Sequence, residues 1–446
     1  MPNRYFGTDG IRGKYKSSFL NEKFIRYLGY SIAEEFRSAN NKNVLIGYDT
    51  RQSCKEIVNI LSEGLYSNGF KIFSLGIAPT PAVSKLTRDK DFSIGIMISA
   101  SHNPYHDNGL KIFDENGIKL SSNVEASIEK KIKLYSQHEI FQAESKIENS
   151  SNLLDEYKKN CIQKFKNTNL SKNKIIIDTA NGANSFLAYE IYSQLFDEVK
   201  VISNVPDGTN INNQCGSTYL KNILNEMKKG SFDFGLSMDG DGDRVIIINS
   251  NYEIIDGDDI LYVIAKGKLI NNEKIEKVIG TKMSNQSLEN SLNNLNIDFF
   301  REDVGDKNVL NKMLEENSIL GGEPSGHIIS LDIGGPTGDA IISSLAYLYY
   351  ANILSSKNLL PKLKNKYIQV LENIPLDSHY IKDLDQLSDK IESLYKDKFE
   401  NSRFLIRKSG TENLLRVMVE SPSNKELELL LSSIKESINL NLSKNE

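Results

Sequence analysis

Short apolar runs alternate along the chain with longer stretches whose apolar positions recur at helical spacing. VLIGYD (44–49) reads as a buried strand. SCKEIVNILSEGLYSNG follows as a helix, with Ile57, Leu61 and Leu65 on one face and Gly69 as its stop. KIFSLG is a second strand, PAVSKLTRD a second helix start and IGIMIS a third strand. The order returns twice. KIIIDTANGANSFLAYEIYSQL (174–195) predicts strand, loop and helix; EVKVISNVPD and LKNILNEMKKG add a strand and a helix before DFGLSMDGDGDR (233–244). A third round runs from KVIGTKMSNQSLENSLNNL (277–295) through IDFFREDVGDKNVLNKMLEEN to SILGGEPSGH (318–327).

Alternation of this kind predicts α/β architecture. The polar segments 145–173 and 355–367 read as connections, the first as a capped connecting helix. Beyond them the pattern changes: YIQVLENIP and RFLIRK read as strands, LDQLSDKIESLYKD and NKELELLLSSIKESI as helices. The expected fold is three similar mixed α/β sheet domains (1–150, 151–252 and 253–362) and a smaller C-terminal α+β domain (363–446) around a central active-site cleft. The third strand of each round runs into an unusual loop: SASHNP, DGDGDR or GGEPSGH. Ligands of α/β sheets bind at the carboxyl ends of strands, so the three loops are expected to share that cleft.

A chain of 446 residues exceeds one ordinary core, which agrees with several domains. A net charge of −5 argues against a general nucleic-acid surface. Cys54, Cys161 and Cys215 are too scattered for a disulfide framework or a C-x-x-C metal site, which points to a reducing cytoplasm. No apolar leader opens the chain and no apolar run reaches membrane-spanning length, so neither secretion nor a membrane is expected.

DGDGDR is the sharpest chemical signal. Asp239, Asp241 and Asp243 alternate with Gly240 and Gly242; in an extended segment that spacing puts three carboxylates on one side. Like charges so close call for a cation, and oxygen ligands favour Mg²⁺ or Ca²⁺. An EF-hand fails, since Arg244 stands where its glycine should be and Ser250 where its glutamate should be. That leaves Mg²⁺ in front, against the plain alternative of a solvated acidic turn.

RKSGTENLLR (407–416) lies between two strands. Arg407, Lys408 and Arg416 bring charge; Ser409, Gly410 and Thr411 bring hydroxyls and close backbone approach. That set suits a phosphate, although it is not a Walker A loop and a basic β-turn would look similar. GGEPSGH sets Glu323, Ser325 and His327 among glycines, suited to sugar hydroxyls and, through His327, to proton transfer; a glycine-rich turn is the bland alternative. FGTDGIRG (6–13) presents Thr8 and Arg12, again in what could be a simple turn. His138 and His379 read as surface residues.

Ser101 and His102 stand in ISASHNPYHDNGLKIF. A hydrolase elbow would read G-x-S-x-G, but Ser99 and Asn103 occupy the glycine positions. Adjacent side chains rarely face one another, so His102 is a poor base for Ser101. If DGDGDR holds Mg²⁺ and RKSGTE a phosphate, Ser101 can itself carry a phosphoryl group whose oxygens complete the metal shell.

These loops in this order, together with PDGTNINNQCGST (206–218), resemble the α-D-phosphohexomutase family over nearly the whole chain, and its amino-sugar branch in particular. The resemblance implies interconversion of glucosamine 6-phosphate and glucosamine 1-phosphate through a phosphoserine and glucosamine 1,6-bisphosphate. It implies one Mg²⁺ per subunit, held by Asp239, Asp241, Asp243 and the Ser101 phosphate. Ser101, Lys111, His327, Arg12 and Arg244 are its implied catalytic groups, with Lys111 and His327 as proton carriers. Thr8, His102, Glu323 and Ser325 would contact the sugar phosphate, and Arg407, Ser409, Gly410, Thr411 and Arg416 would grip the distal phosphate. The expected partner is a small amino-sugar phosphate, with the chain a monomer or homodimer. Pro324, Lys408 and Asn413 depart from the family's usual loop residues. A phosphomannomutase or phosphoglucomutase with the same machinery, and a non-catalytic sugar-phosphate sensor, stay open as alternatives.

Overall fold

Each round of strand and helix builds one sheet. The computed structural model describes residues 5–17, 19–39, 41–137, 145–375, 390–391, 393–395, 398–399, 401–408 and 414–443. The first sheet joins β1 (Phe6–Gly7), β2 (Gly10–Lys14), β3 (Asn43–Tyr48), β4 (Lys71–Ile77), β5 (Ile94–Ile98), β6 (Asp107–Phe113) and β7 (Ile147–Asn149) in the order β1-β2-β6-β5-β3-β4-β7. The second joins β8 (Lys174–Asp178), β9 (Glu198–Ile202), β10 (Phe234–Met238), β11 (Val245–Asn249) and β12 (Ile254–Ile255) as β12-β11-β10-β8-β9. The third joins β13 (Lys277–Thr281), β14 (Asp298–Glu302), β15 (Leu320–Gly322) and β16 (Ile328–Ser330) as β14-β13-β15-β16.

One plan recurs in all three. The first strand of the round is central and pairs in parallel with the second and third. An antiparallel strand then returns beside the third. Apolar runs such as KIIID and VIIIN suit strands covered on both faces. Each special loop therefore sits where the third strand ends and the chain reverses.

The three α/β domains share one core. Leu45, Leu75, Phe92 and Met97 of the first domain belong to the same buried cluster as Ile175 and Leu236 of the second and Ile264 and Leu345 of the third. At its centre the helix Ala340–Ser356 is buried on nearly every side. The helix Leu154–Phe165, expected as a connection, puts Leu154, Tyr157, Cys161 and Phe165 into this core. In 174–195 the helix spans Ala188–Tyr192, and the loop before it is docked on the acidic loop: Ala183 N donates to Gly240 O at 2.8 Å.

β17 (Ile368–Pro375), β18 (Arg403–Lys408) and β19 (Leu414–Ser421) form a separate antiparallel sheet ordered β17-β19-β18. One of its faces carries Val370, Phe404, Ile406, Leu415, Val417 and Val419 into the C-terminal domain's own core, with Leu427, Leu430 and Ile434 of the helix Asn424–Ser443.

Candidate active site

Ser101 and the acidic loop meet where the first and second domains touch. Ser101 Oγ donates to Asp239 Oδ2 at 2.6 Å. Carboxylate oxygens of Asp239, Asp241 and Asp243 lie within 4.8 Å of one another, and all three residues are buried. An extended segment is not what gathers them. Residues 239–244 form a turn between β10 and β11, in which Gly242 takes φ +72°. Gly240 is needed for room: a Cβ there would fall 2.7 Å from Ser101 O. Thr80 locks the loop to the first domain, its N–H donating to Asp241 O at 2.9 Å and its hydroxyl to Asp241 Oδ2 at 2.6 Å.

The charge balance is lopsided. Lys111 Nζ reaches Asp243 Oδ2 at 2.6 Å, Asp241 Oδ2 at 2.8 Å and Asp9 Oδ2 at 3.3 Å. Burial works to lower the Lys111 pKa, but these carboxylates outweigh it and hold the ammonium firmly charged. Asp239 has no ion pair among the described residues; burial, then Asp243 and Asp241, push its carboxyl well above the ordinary range, against Arg244. Asp241 Oδ1 and Asp243 Oδ1 are buried without a hydrogen-bond partner. Hard carboxylate oxygens buried without a hydrogen bond, next to an Asp239 whose charge burial disfavours, fit a divalent cation such as Mg²⁺.

Beside this junction opens a cavity of about 350 Å³ to which all four domains contribute. Thr8 and Asp9, Arg244, Glu323 with Ser325 and His327, and Gln369 with Leu371 form its wall. Arg244 approaches Asp243 Oδ1 at 3.7 Å and Glu323 Oε1 accepts from Gly305 N at 3.1 Å. His327 Nδ1 lies 3.5 Å from Asp243 Oδ1, while its Nε2 accepts from Gly338 N at 2.9 Å. A backbone N–H can only donate, so the ring's proton is assigned to Nδ1. His102 Nδ1 is 3.5 Å from Ser101 Oγ; burial, then Arg244 and Arg12, lower its pKa to about 4 and keep it neutral.

Gln369 and Leu371 also orient the C-terminal sheet. β19 places Glu420, Met418 and Arg416 opposite Gln369, Leu371 and Asn373, and Arg407 opposite Arg416. Side chains two residues apart share a face. Arg407 and Arg416 thus lie on the face that lines the cavity, as a cross-strand pair of cations suited to an anion. Ser409, Gly410 and Thr411 lie outside the described residues.

Several charged groups here escaped the sequence reading. Asp9 pairs with Arg12, Lys111 and Lys119, and Lys119 also pairs with Asp306. Burial works to raise the Asp9 pKa, yet Lys111, Lys119 and Arg12 hold it well below the ordinary range. Asp9 stands inside FGTDGIRG, next to Thr8, and Asp306 follows the glycine that opens a helix. Lys119 carried no local mark at all.

Known proteins share this plan. Models of the phosphoglucomutase/phosphomannomutase family match in four parts: α/β/α domain I over residues 3–139, domain II over 154–252, domain III over 256–367 and the C-terminal domain over 369–437. A phosphoglucosamine mutase of Psychromonas ingrahamii is 39% identical over 439 residues, covering 96% of this chain and 97% of its own. One from Ruthia magnifica is 40% identical over 432 residues, with 94% and 96% covered. Among solved structures, a phosphoglucomutase/phosphomannomutase family protein of Burkholderia thailandensis superimposes with a TM-score of 0.81 at 20% identity over 97% of both chains. Four domain matches in order, and relatives this similar from end to end, make the chain a member of the phosphoglucomutase/phosphomannomutase family.

Proposed function

We propose that this enzyme interconverts glucosamine 6-phosphate and glucosamine 1-phosphate with Ser101 as phosphoryl carrier, supplying an activated amino sugar for cell-wall precursors. The observation that carries the reading is Ser101 Oγ, 2.6 Å from Asp239 in a buried acidic triad, beside a cavity walled by all four domains. The full-length relatives named phosphoglucosamine mutase support the amino-sugar substrate. The loops fall in four consecutive domains, divided at 1–150, 151–252, 253–362 and 363–446. Three buried free cysteines agree with a reducing cytoplasm.

Asp239, Asp241 and Asp243 would hold Mg²⁺, which when bound neutralises charge on the phosphoryl group being transferred. The phosphate on Ser101 passes to the free hydroxyl of the bound sugar phosphate: the bond from phosphorus to Oγ breaks, one to the sugar oxygen forms, and the proton lost by that hydroxyl is balanced by the one gained at Ser101 Oγ. The resulting glucosamine 1,6-bisphosphate turns over in the cleft, and Ser101 Oγ recovers a phosphoryl group from its other end. Arg12 and Arg244 steady the charge at the reacting end, and Thr8 and His102 contact the substrate there. Glu323 and Ser325 meet sugar hydroxyls. Arg407 and Arg416, with Ser409, Gly410 and Thr411, hold the distal phosphate. Lys111 and His327, both in contact with Asp243 of the acidic loop, would carry the proton between the two oxygens. In the present geometry Lys111 is a charged acid, and His327 offers its proton only at Nδ1.

The test is a rate assay of glucosamine 1-phosphate formation with and without Mg²⁺ and bisphosphate, beside intact-mass measurement of Ser101 phosphorylation. Ser101→Ala should cost at least about 1,000-fold in kcat while sugar-phosphate binding survives. Near-normal turnover by that variant sinks the carrier role. A higher kcat/KM on glucose or mannose phosphates would sink the amino-sugar assignment.

A further inference from the structure

The segment PDGTNINNQCGST has no part in the chemistry above, yet one of its side chains reaches the reactive serine across the domain seam. Asn212 Nδ2 donates to Ser101 O at 2.8 Å and to Asn103 O at 3.1 Å. From the first domain, Arg51 Nη2 donates to the same two carbonyls, both at 2.9 Å. Each carbonyl therefore takes two donors, one from each domain.

The rest of Arg51 holds the surrounding turn and the neighbouring strand end. Its Nη1 donates to Pro104 O and to Asp107 O, the latter at 3.0 Å, and its Nε to Asp49 Oδ2 at 2.8 Å. All five N–H groups are matched, and the guanidinium is fully buried. Asp49 Oδ2 also accepts from Ser99 Oγ at 2.6 Å, and Ser99 Oγ accepts from Ser101 N at 2.8 Å. The Ser101 residue is thus held at both its N–H and its C=O.

What is held is a conformation that serine avoids. Ser101 has φ +50°, in the left-handed region where a Cβ is strained. Asn212 sits at φ +57°, a setting asparagine tolerates better than most residues. Asn212 N donates to Ala180 O at 2.9 Å, and Gln52 N to Gly208 O at 3.0 Å, so the segment is docked on both domains. A Cβ on Gly240 would fall 2.7 Å from Asn212 Nδ2 as well as from Ser101 O, so that glycine of the acidic loop lets this donor and its acceptor meet.

We propose that Arg51 and Asn212 form a two-sided carbonyl clamp that keeps Ser101 in its strained backbone pose, and that Asn212 ties that pose to the domain carrying the acidic triad. Both are positioning residues; neither touches the phosphoryl group. The functional half of the proposal rests on Ser101 as carrier. The conformational half stands without it.

The experiment separates the two. Full-length Ser101→Gly and Ser101→Ala are melted in Mg²⁺, each with Asn212 intact and with Asn212→Ala. Glycine accepts positive φ and alanine does not, so Ser101→Gly should melt about 2 °C above Ser101→Ala while the clamp is whole. In the Asn212→Ala background the gap should close or reverse, because the loop relaxes out of the left-handed region. A gap unchanged by Asn212→Ala overturns the clamp, whatever Ser101 carries. In the wild-type background, Asn212→Ala should lower kcat about 100-fold through misplacement of Ser101. The Kd for glucosamine 6-phosphate, measured by calorimetry, should stay within about twofold. A kcat near wild type, or an affinity loss that matches the kcat loss, overturns the positioning role.

Discussion

The seam around Ser101 and the seam that carries the C-terminal domain are built from different materials. Around Ser101, first and second domains continue into one apolar core, and Thr80–Asp241 and Ser101–Asp239 cross it fully buried. The C-terminal domain has a core of its own and meets the third domain through polar contacts. Arg403 donates to Lys282 O at 2.6 Å and to Ser284 O and Glu420 Oε2 at 2.7 Å. Buried Glu420 also accepts from Gln286 N and Gln369 Nε2. Lys366 bridges Asp256 and Asp259, and Asn285 and Tyr367 exchange two hydrogen bonds. Polar seams between separate cores are those across which domains move. The division suits the proposed chemistry: Ser101, the proposed carrier, is fixed, and the proposed grip on the far phosphate rides on the unit best able to release a turning intermediate.

The largest way to break this contrast is at the rigid end. Asp241→Asn should weaken Mg²⁺ at least about 100-fold and lower kcat/KM with it. Titrating both initial rate and melting temperature against Mg²⁺ checks this; an unchanged midpoint removes Asp241 from the ligand set. At the mobile end, Arg407→Ala should raise KM about tenfold and leave the Mg²⁺ midpoint where it was. The reverse pattern would put Arg407 with the metal loop. Smaller still, Glu420→Gln weakens the charge-assisted hydrogen bond from Arg403. By calorimetry the C-terminal domain's transition should drop about 3 °C while the main transition holds. One merged transition moving as a whole would mean that the two seams do not differ.

Sequence made the strands, the acidic loop and the serine readable for the same reason: each is a local run. DGDGDR shows its carboxylates whatever surrounds it, although the turn at Gly242 gathers them and no extended segment does. The seams were not readable in this way. Lys119 reaches Asp9 from 110 residues away and Asp306 from 187, so only the folded chain shows that they meet. Alternation announces that a strand is buried without saying which domain buries it. The helix Leu154–Phe165 did carry a mark. Its Leu154, Tyr157, Cys161 and Phe165 recur at helical spacing, the stripe of a core helix and not of a linker. Asn212 lay in a motif that could be quoted but not explained, and Arg51 between two quoted runs, because their partners are backbone carbonyls, which have no letter in a sequence.

A pH-dependent effect probes the shared core itself. Asp339 caps the helix Ala340–Ser356, accepting from Ile341 N and Ile342 N at 3.0 Å, and takes the Tyr157 hydroxyl at 2.9 Å. Burial lifts its pKa to about 6, against the pull of the Ile342 N–H, the Tyr157 hydroxyl and the Ile341 N–H. Unfolded, the same carboxyl titrates near ~4. Between those values the folded state holds the proton more tightly, so stability falls as pH rises from about 4 to 6 and then levels off. Asparagine keeps an acceptor for both helix N–H groups and cannot titrate. The melting temperature of Asp339→Asn relative to wild type should therefore climb between about pH 4 and 7, by the equivalent of at most ~3 kcal/mol. A difference that stays flat across that range would mean that water reaches Asp339, and that the junction of the second and third domains is wetter than the seam at Ser101.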